Sequence, residues 1–174
     1  MLNNSEVAGN SGIAGKTAED YLFILENTYI IKRVYPFYSK LNTELTKMPK
    51  LFFEDNGIQN ILENNFYLEK LTGNNFENSI YTELRKFSNI ETINFWRTKD
   101  HHELDFILKI KNKIVPIEVK LNNIKSFTSL NYFSEKYNNK NICIITLNKD
   151  KMLKNSRNIK CYAPWEIDKL IKGL

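Results

Sequence analysis

Cysteine is scarce: Cys143 and Cys161 are the two thiols in 174 residues. That excludes a disulfide framework, and neither has a Cys or His neighbour at metal-site spacing. Both are expected as free thiols in a reducing cytoplasm. Cys143, inside the apolar run Ile142 to Ile145, is expected to be buried and inert. Long apolar runs are also lacking. None approaches the roughly 18 residues that span a bilayer, and nothing resembles a signal peptide, so the reading excludes a membrane. Runs of one charge are missing too. The net charge is +5 and the pI about 9.0, but the basic residues are scattered. Such a balance permits an anionic partner without marking where it binds.

One absence decides against a tempting motif. Gly15-Lys16-Thr17 has the ending of a phosphate-binding loop, which needs a first glycine five positions before the second. Asn10 stands there, and Gly9 is one residue early. The preceding segment offers only Leu2, Val7 and Ala8 as apolar residues, too little for a buried strand. ATP binding by this chain is not expected.

What is present suffices for a sizeable core: 42% of residues are hydrophobic and 13% aromatic. Thr17-Ala18-Glu19-Asp20 reads as a helix start, with Thr17 as N-cap. Ala18, Tyr21, Leu22 and Leu25 form a helical stripe ending near Asn27. Strands are expected at YIIKRV, stopped by Pro36, and at KLFFED, with a polar link from Ser39 to Met48 between them. A helix follows near Ile58 to Glu63. This opening part fits either a winged-helix tail or a small α+β cap. Beyond Gly73, Phe76, Ile80, Leu84 and Phe87 line one helix face. A strand at Ile93 to Thr98, a hairpin at ELDFILKIKNKIVPIEVKL, and a helix from Ser126 to Tyr137 come next. Strands at NICIITL and near Cys161, then a helix from Trp165 to Ile171, complete the order. The fold class is α/β, a mixed sheet flanked by helices. The expected division is residues 1–48 and 49–174.

The hairpin carries most of the information. With Lys111-Asn112 as a two-residue turn, Leu108 faces Val115, Phe106 faces Ile117 and Leu104 faces Val119. Alternation then sets Asp105 opposite Glu118 and Glu103 opposite Lys120 on the other face. Slipping by one residue would mix the faces, so the apolar pattern selects this register. Like charges directly opposite are destabilising. A divalent cation removes the conflict, since Mg²⁺ takes one or two carboxylates. Lys120 could then orient or deprotonate a water or stabilise phosphate charge. The metal-free alternative is a surface network joining Glu103, Lys120 and Glu118.

Asp105 followed by Glu118-Val119-Lys120 resembles the core motif of PD-(D/E)XK nucleases, the restriction-endonuclease-like fold. More closely, KLFFEDNG, GNNFENSIYTELRK, FWRTKDHHELDFIL and PIEVK resemble a prokaryotic C-terminal domain of unknown function that follows an AAA-type ATPase module. There a winged-helix segment joins the two parts, and GIAGKTAEDYLFILENTYII is similar to it. The resemblance implies Asp105 and Glu118 as metal-binding carboxylates, the Val119 carbonyl as a further ligand and Lys120 as the catalytic lysine. It also implies Glu77 as the acid that completes the site, with Glu83 as rival on the opposite edge of the helix. Arg97 is either a phosphate contact or a strand-end surface residue. His101 and His102, in a loop, are left out of the metal site.

The expectations are therefore a Mg²⁺- or Mn²⁺-dependent DNA nuclease, with a catalytically silent DNA- or protein-binding regulatory module as the alternative. The implied partners are DNA and an AAA-type ATPase module of the same or a partner chain. That module is missing here, so the chain reads as the C-terminal part of a longer protein. A homo-oligomer is compatible with this reading.

Overall fold

The computed structural model describes residues 2–37, 48–64, 66–67, 70–122, 126–148 and 159–174. Helix α1 (Asn4–Ser11) forms where the sequence has no apolar stripe. Asn3 caps it by accepting from the Ser5 amide, and Gly12 ends it at φ 65°, which glycine adopts without a Cβ penalty. Helix α2 covers Gly15–Asn27 and ends where the apolar stripe predicts. Its N-cap is Ala14 rather than Thr17. The Ala14 carbonyl already accepts from the Ala18 amide at 3.0 Å, so the backbone closes its first turn before the threonine is reached. Gly15-Lys16-Thr17 is helical and forms no phosphate loop.

Strands β1 (Ile31–Val34) and β2 (Lys50–Phe53) pair antiparallel, with Ile31 opposite Phe53 and Val34 opposite Lys50. This pair spans the boundary expected at residues 48 and 49. The link expected from Ser39 to Met48 lies outside the described residues but for Met48. Asp55 starts helix α3 (Asn56–Leu62) by accepting from the Ile58 amide at 2.9 Å. Two anchors join β2 to helix α4 (Gly73–Leu84). The Asn78 side chain accepts from the Phe53 amide at 2.8 Å and donates to the Phe53 carbonyl at 3.2 Å. Phe52 stacks on Tyr81 with ring centroids 4.6 Å apart.

The main sheet runs β3 (Thr92–Arg97), β4 (Glu103–Ile110), β5 (Lys113–Lys120), β6 (Cys143–Thr146) and β7 (Lys160–Tyr162) in that spatial order. The first three are antiparallel, and β5, β6 and β7 are parallel, which makes the mixed sheet the sequence predicts. Helix α5 (Thr128–Tyr137) links β5 to β6. A 3-10 turn (Pro164–Glu166) and helix α6 (Ile167–Lys172) follow β7. On one face Phe106, Leu108, Val115, Ile117 and Val119 pack with Phe76, Ile80 and Leu84 of α4 and with Leu170 of α6; Val34 and Phe52 join them. On the other, Trp96, Leu104, Ile107 and Ile144 pack with Leu130 and Phe133 of α5. The sheet thus lies between two helical layers. Cys143 and Cys161 are buried free thiols, and burial pushes the Cys143 thiol up to about 12.

The hairpin adopts the predicted register over most of its length. Ile110 pairs with Lys113, Leu108 with Val115 and Phe106 with Ile117, around a turn in which Lys111 takes φ 53°. The register changes at the far end. Asn94 pairs with Ile107 but Trp96 with Leu104, so three steps of β4 match two of β3. Beta-strand β4 therefore bulges at Asp105-Phe106, and a bulge re-aims the side chains beyond it. Leu104 consequently joins Trp96 in the α5-side core instead of facing Val119 as the simple alternation predicts.

Candidate functional site

The bulge turns Asp105 into the space between β4 and β5. Its Oδ2 accepts from the Val119 amide at 2.8 Å, replacing a rung of the ladder with a side-chain hydrogen bond. The carboxylate is thereby fixed and buried, at 9% exposure. Glu118 and Lys120 follow on β5, the ammonium 2.6 Å from Glu118 Oε1. Helix α4 brings Glu77, and the start of β4 brings Glu103. Strand β2 supplies the residue the sequence reading missed. Lys50 Nζ lies 2.9 Å from Glu77 Oε1, 2.8 Å from Glu103 Oε1 and 3.6 Å from Asp105 Oδ1.

The structure thus gathers Glu77, Asp105, Glu118 and Lys120 at one end of the hairpin, together with Lys50 and Glu103. Val119 enters through its amide N–H. Glu83, the rival to Glu77, is exposed and pairs with Lys86 at 2.5 Å on the surface of α4. Arg97 reaches the rim, with Nε 3.8 Å from Glu103 Oε2 and Nη2 3.5 Å from the His101 ring. The His102 ring stacks on Tyr132 at 4.5 Å. Beside Lys50, Glu77 and Glu103 opens a cleft of about 410 Å³, walled also by Glu63, Asn74 and Asn78.

Charge dominates this site. Glu77, Glu103, Asp105 and Glu118 face Lys50 and Lys120, a formal excess of two negative charges before Arg97 is counted at the rim. Burial and the Asp105 charge push the Glu118 carboxyl up to about 7 against the pull of Lys120. Burial, with Asp105 again, raises Glu77 despite Lys50. Burial alone would lower both lysines, but the surrounding carboxylates outweigh it and hold each ammonium above its ordinary range. Lys120 is therefore a cation here, suited to meet anionic charge and unsuited to take a proton.

Glu118 Oε2 is buried without a hydrogen-bond partner. A buried carboxylate oxygen left unpaired is costly, and a divalent cation shared with Asp105 would relieve it. Mg²⁺ needs only one or two carboxylates because it keeps several waters, so this pair fits it. A larger set does not exist: among the described residues no group of three or more His, Cys, Asp or Glu side chains is arranged to hold a metal ion.

The fold and site define a mixed α/β protein with an acid-and-lysine cluster at the bulged end of its central hairpin. The chain belongs to the family described as Domain of unknown function (DUF4143), matched over residues 72–166, more than half its length. Residues 1–69 match a second family, Domain of unknown function (DUF8612). Uncharacterized proteins of Mycobacterium tuberculosis and Mycobacterium bovis are each 22% identical over 125 residues, covering 69% of this chain and 28% of theirs. The chain thus spans under a third of the length of those relatives. The crystal structure of protein VC1899 from Vibrio cholerae aligns over 99% of this chain and 44% of its own, at 12% identity and a TM-score of 0.37, too low to assign a fold. Among the described residues no helix is long and apolar enough to cross a membrane.

Proposed function

We propose that this chain is a PD-(D/E)XK nuclease-like module that cleaves DNA phosphodiesters with Mg²⁺ or Mn²⁺. The observation that carries this reading is the gathering of Glu77, Asp105, Glu118 and Lys120 at the bulged end of the hairpin, around an excess of negative charge. Asp105 and Glu118 would hold the cation, with the Val119 carbonyl as a further candidate ligand. The ion would supply Lewis-acid activation of a water and of the scissile phosphate. Asp105 is oriented for this by the Val119 amide. The Lys120 ammonium would stabilise charge developing on the phosphate oxygens, and Glu77 acts through Lys50. The experiment compares cleavage of single-stranded, duplex and branched DNA by the wild type, Asp105→Ala and Lys120→Ala. Loss in both variants supports the reading, and activity untouched by both overturns it.

A second reading has its own support. Lys50 and Lys120 already neutralise much of the cluster, as suits a catalytically silent module that holds DNA or protein for an AAA-type ATPase in the cytoplasm. DNA affinity measured against salt tests it: a slope near zero would exclude phosphates as the partner. The ATPase module, in the same chain or a partner, belongs to this proposal in either form. It accords with a chain that spans 28% of its mycobacterial relatives.

A further inference from the structure

A second cavity opens where the small sheet meets the main one. It holds about 300 Å³ and shares no lining residue with the acid-and-lysine cluster. Its floor is apolar: Val34 of β1 and Tyr81 of α4 are buried, and Phe87, Ile90 and Ile93 pack against the same core. Its charges cancel, since Glu26, Glu54 and Glu91 stand against Lys32, Arg33 and Arg85. Tyr81 is the unusual member of this wall. Phe52 and Phe106 stack on its ring, so what it presents to the cavity is its hydroxyl end. The residue is only 3% exposed, yet no hydrogen bond reaches the hydroxyl from the described residues. Burial, with the charge of Glu26 on the same wall, raises the phenol above its ordinary range and keeps it a donor. A buried hydroxyl left without a partner is costly. This one waits for an acceptor.

We propose that this cavity binds a small, neutral, planar compound whose carbonyl oxygen accepts from the Tyr81 hydroxyl while its ring lies against Val34, Phe87 and Ile93. Size sets the first limit. Small-molecule sites begin at roughly 300 Å³, so the space suits a single-ring compound and not a nucleotide or a peptide. Charge sets the second, because a charged ligand would have to break an ion pair of the wall. Glu26 is met by Lys32 at 3.1 Å and by Arg33 at 2.8 Å, Arg85 by Glu54, and Glu91 by Lys109 at 2.8 Å. The carboxylates are thus occupied, whereas a guanidinium has five N–H donors, more than these pairs use. With the Tyr81 hydroxyl, the wall therefore offers spare donors, which selects a ligand carrying an acceptor. Occupancy would also brace β1 against β3, since Val34 and Ile93 both line the space. None of this depends on the cation-dependent reading above.

The test is an NMR titration of the ¹⁵N-labelled chain with three probes of one shape and different charge: benzamide, benzoate and benzamidine. Benzamide is expected to give saturable shifts at the Val34, Tyr81 and Thr92 amides, with a millimolar Kd as suits a fragment of this size. Benzoate and benzamidine should bind at least about tenfold more weakly, because each leaves an ion pair broken. Tyr81→Phe keeps the ring against Phe52 and Phe106 and should weaken benzamide about fivefold to tenfold through the lost hydrogen bond. Ile93→Trp, which fills the space, should abolish the shifts. Absence of saturable shifts at these amides overturns the proposal, as does equal benzamide affinity in wild type and Tyr81→Phe. Benzoate or benzamidine binding as tightly as benzamide overturns it too, by removing the neutral class of ligand. Benzamide binding that survives Ile93→Trp places the ligand elsewhere and has the same consequence.

Discussion

Replacing Glu118 by glutamine should stabilise the protein at alkaline pH and change it little in acid. Burial and the Asp105 charge raise the Glu118 carboxyl from 4.5 to about 7. Below pH 4.5 the group is protonated both folded and unfolded and contributes no difference. Between there and pH 7 the unfolded chain releases the proton while the folded chain keeps it, so wild-type stability falls as pH rises. Above pH 7 the full penalty applies. Moving the carboxyl from 4.5 to about 7, at about 1.4 kcal/mol per pH unit, costs about 3 kcal/mol above pH 7. That figure already contains the pull of Lys120, so glutamine removes it whole: a gain of about 3 kcal/mol is expected above pH 7, vanishing near pH 4.5. Glu77 is raised in the same direction but is present in both proteins and largely cancels in the difference. The assay is urea unfolding in EDTA from acid to pH 8.5, followed by fluorescence of buried Trp96. A difference between the two proteins that does not vary with pH would refute the reasoning. Mg²⁺ added to the wild type should flatten its pH dependence and leave Glu118→Gln unaffected.

Three further outcomes follow from the packing. Asp105→Ala leaves the Val119 amide without its acceptor and should cost about 1 to 3 kcal/mol, seen as a lower urea midpoint; unchanged stability would mean that this bond does not hold the bulge. Phe52→Ala empties the space between Tyr81 and Phe106 and should cost about 3 to 5 kcal/mol. The same change should loosen β2 enough to speed amide exchange at Lys50, which a rigid β2 would not show. Lys111→Gly should stabilise by about 0.5 to 1 kcal/mol, because φ is 53° there and glycine adopts it without strain; a lower melting temperature would contradict the turn geometry.

The hairpin was legible because its apolar residues alternate with period two over most of both strands, and only one register keeps them on one face. That pattern alone places Asp105, Glu118 and Lys120 near one another. The bulge was not legible, since ELDFILKI reads as an unbroken strand. What displaces Leu104 is the competing core around Trp96 and Phe133, a tertiary demand. Glu77 could be placed on an inward helix edge from the wheel. Lys50 could not be paired with it, because the contact joins residues 27 positions apart with no local signature. One signal was available: a lysine opening the apolar strand KLFF has to be paired if it is buried. Helix α1 escaped the reading because Ala8 is its one buried residue, too little for a stripe. Thr17 misled as a cap because a capping residue type is common inside first turns as well.

The short bridge from the small sheet to β3 has a consequence for strand addition at the edge of the main sheet. The Phe37 amide donates to the Phe95 carbonyl at 2.6 Å, and the Phe95 amide donates to the Tyr35 carbonyl at 3.3 Å, with Pro36 bridged to Phe95 in parallel. An open strand edge is a template on which another chain can add a strand. Here the middle of that edge is already engaged by a segment containing a proline, which has no amide to offer a further strand. The opposite edge, β7, is only three residues long. Loosening residues 35–37 would therefore do more than free the small sheet: it would uncover the backbone of β3 and invite ordered self-association through the sheet.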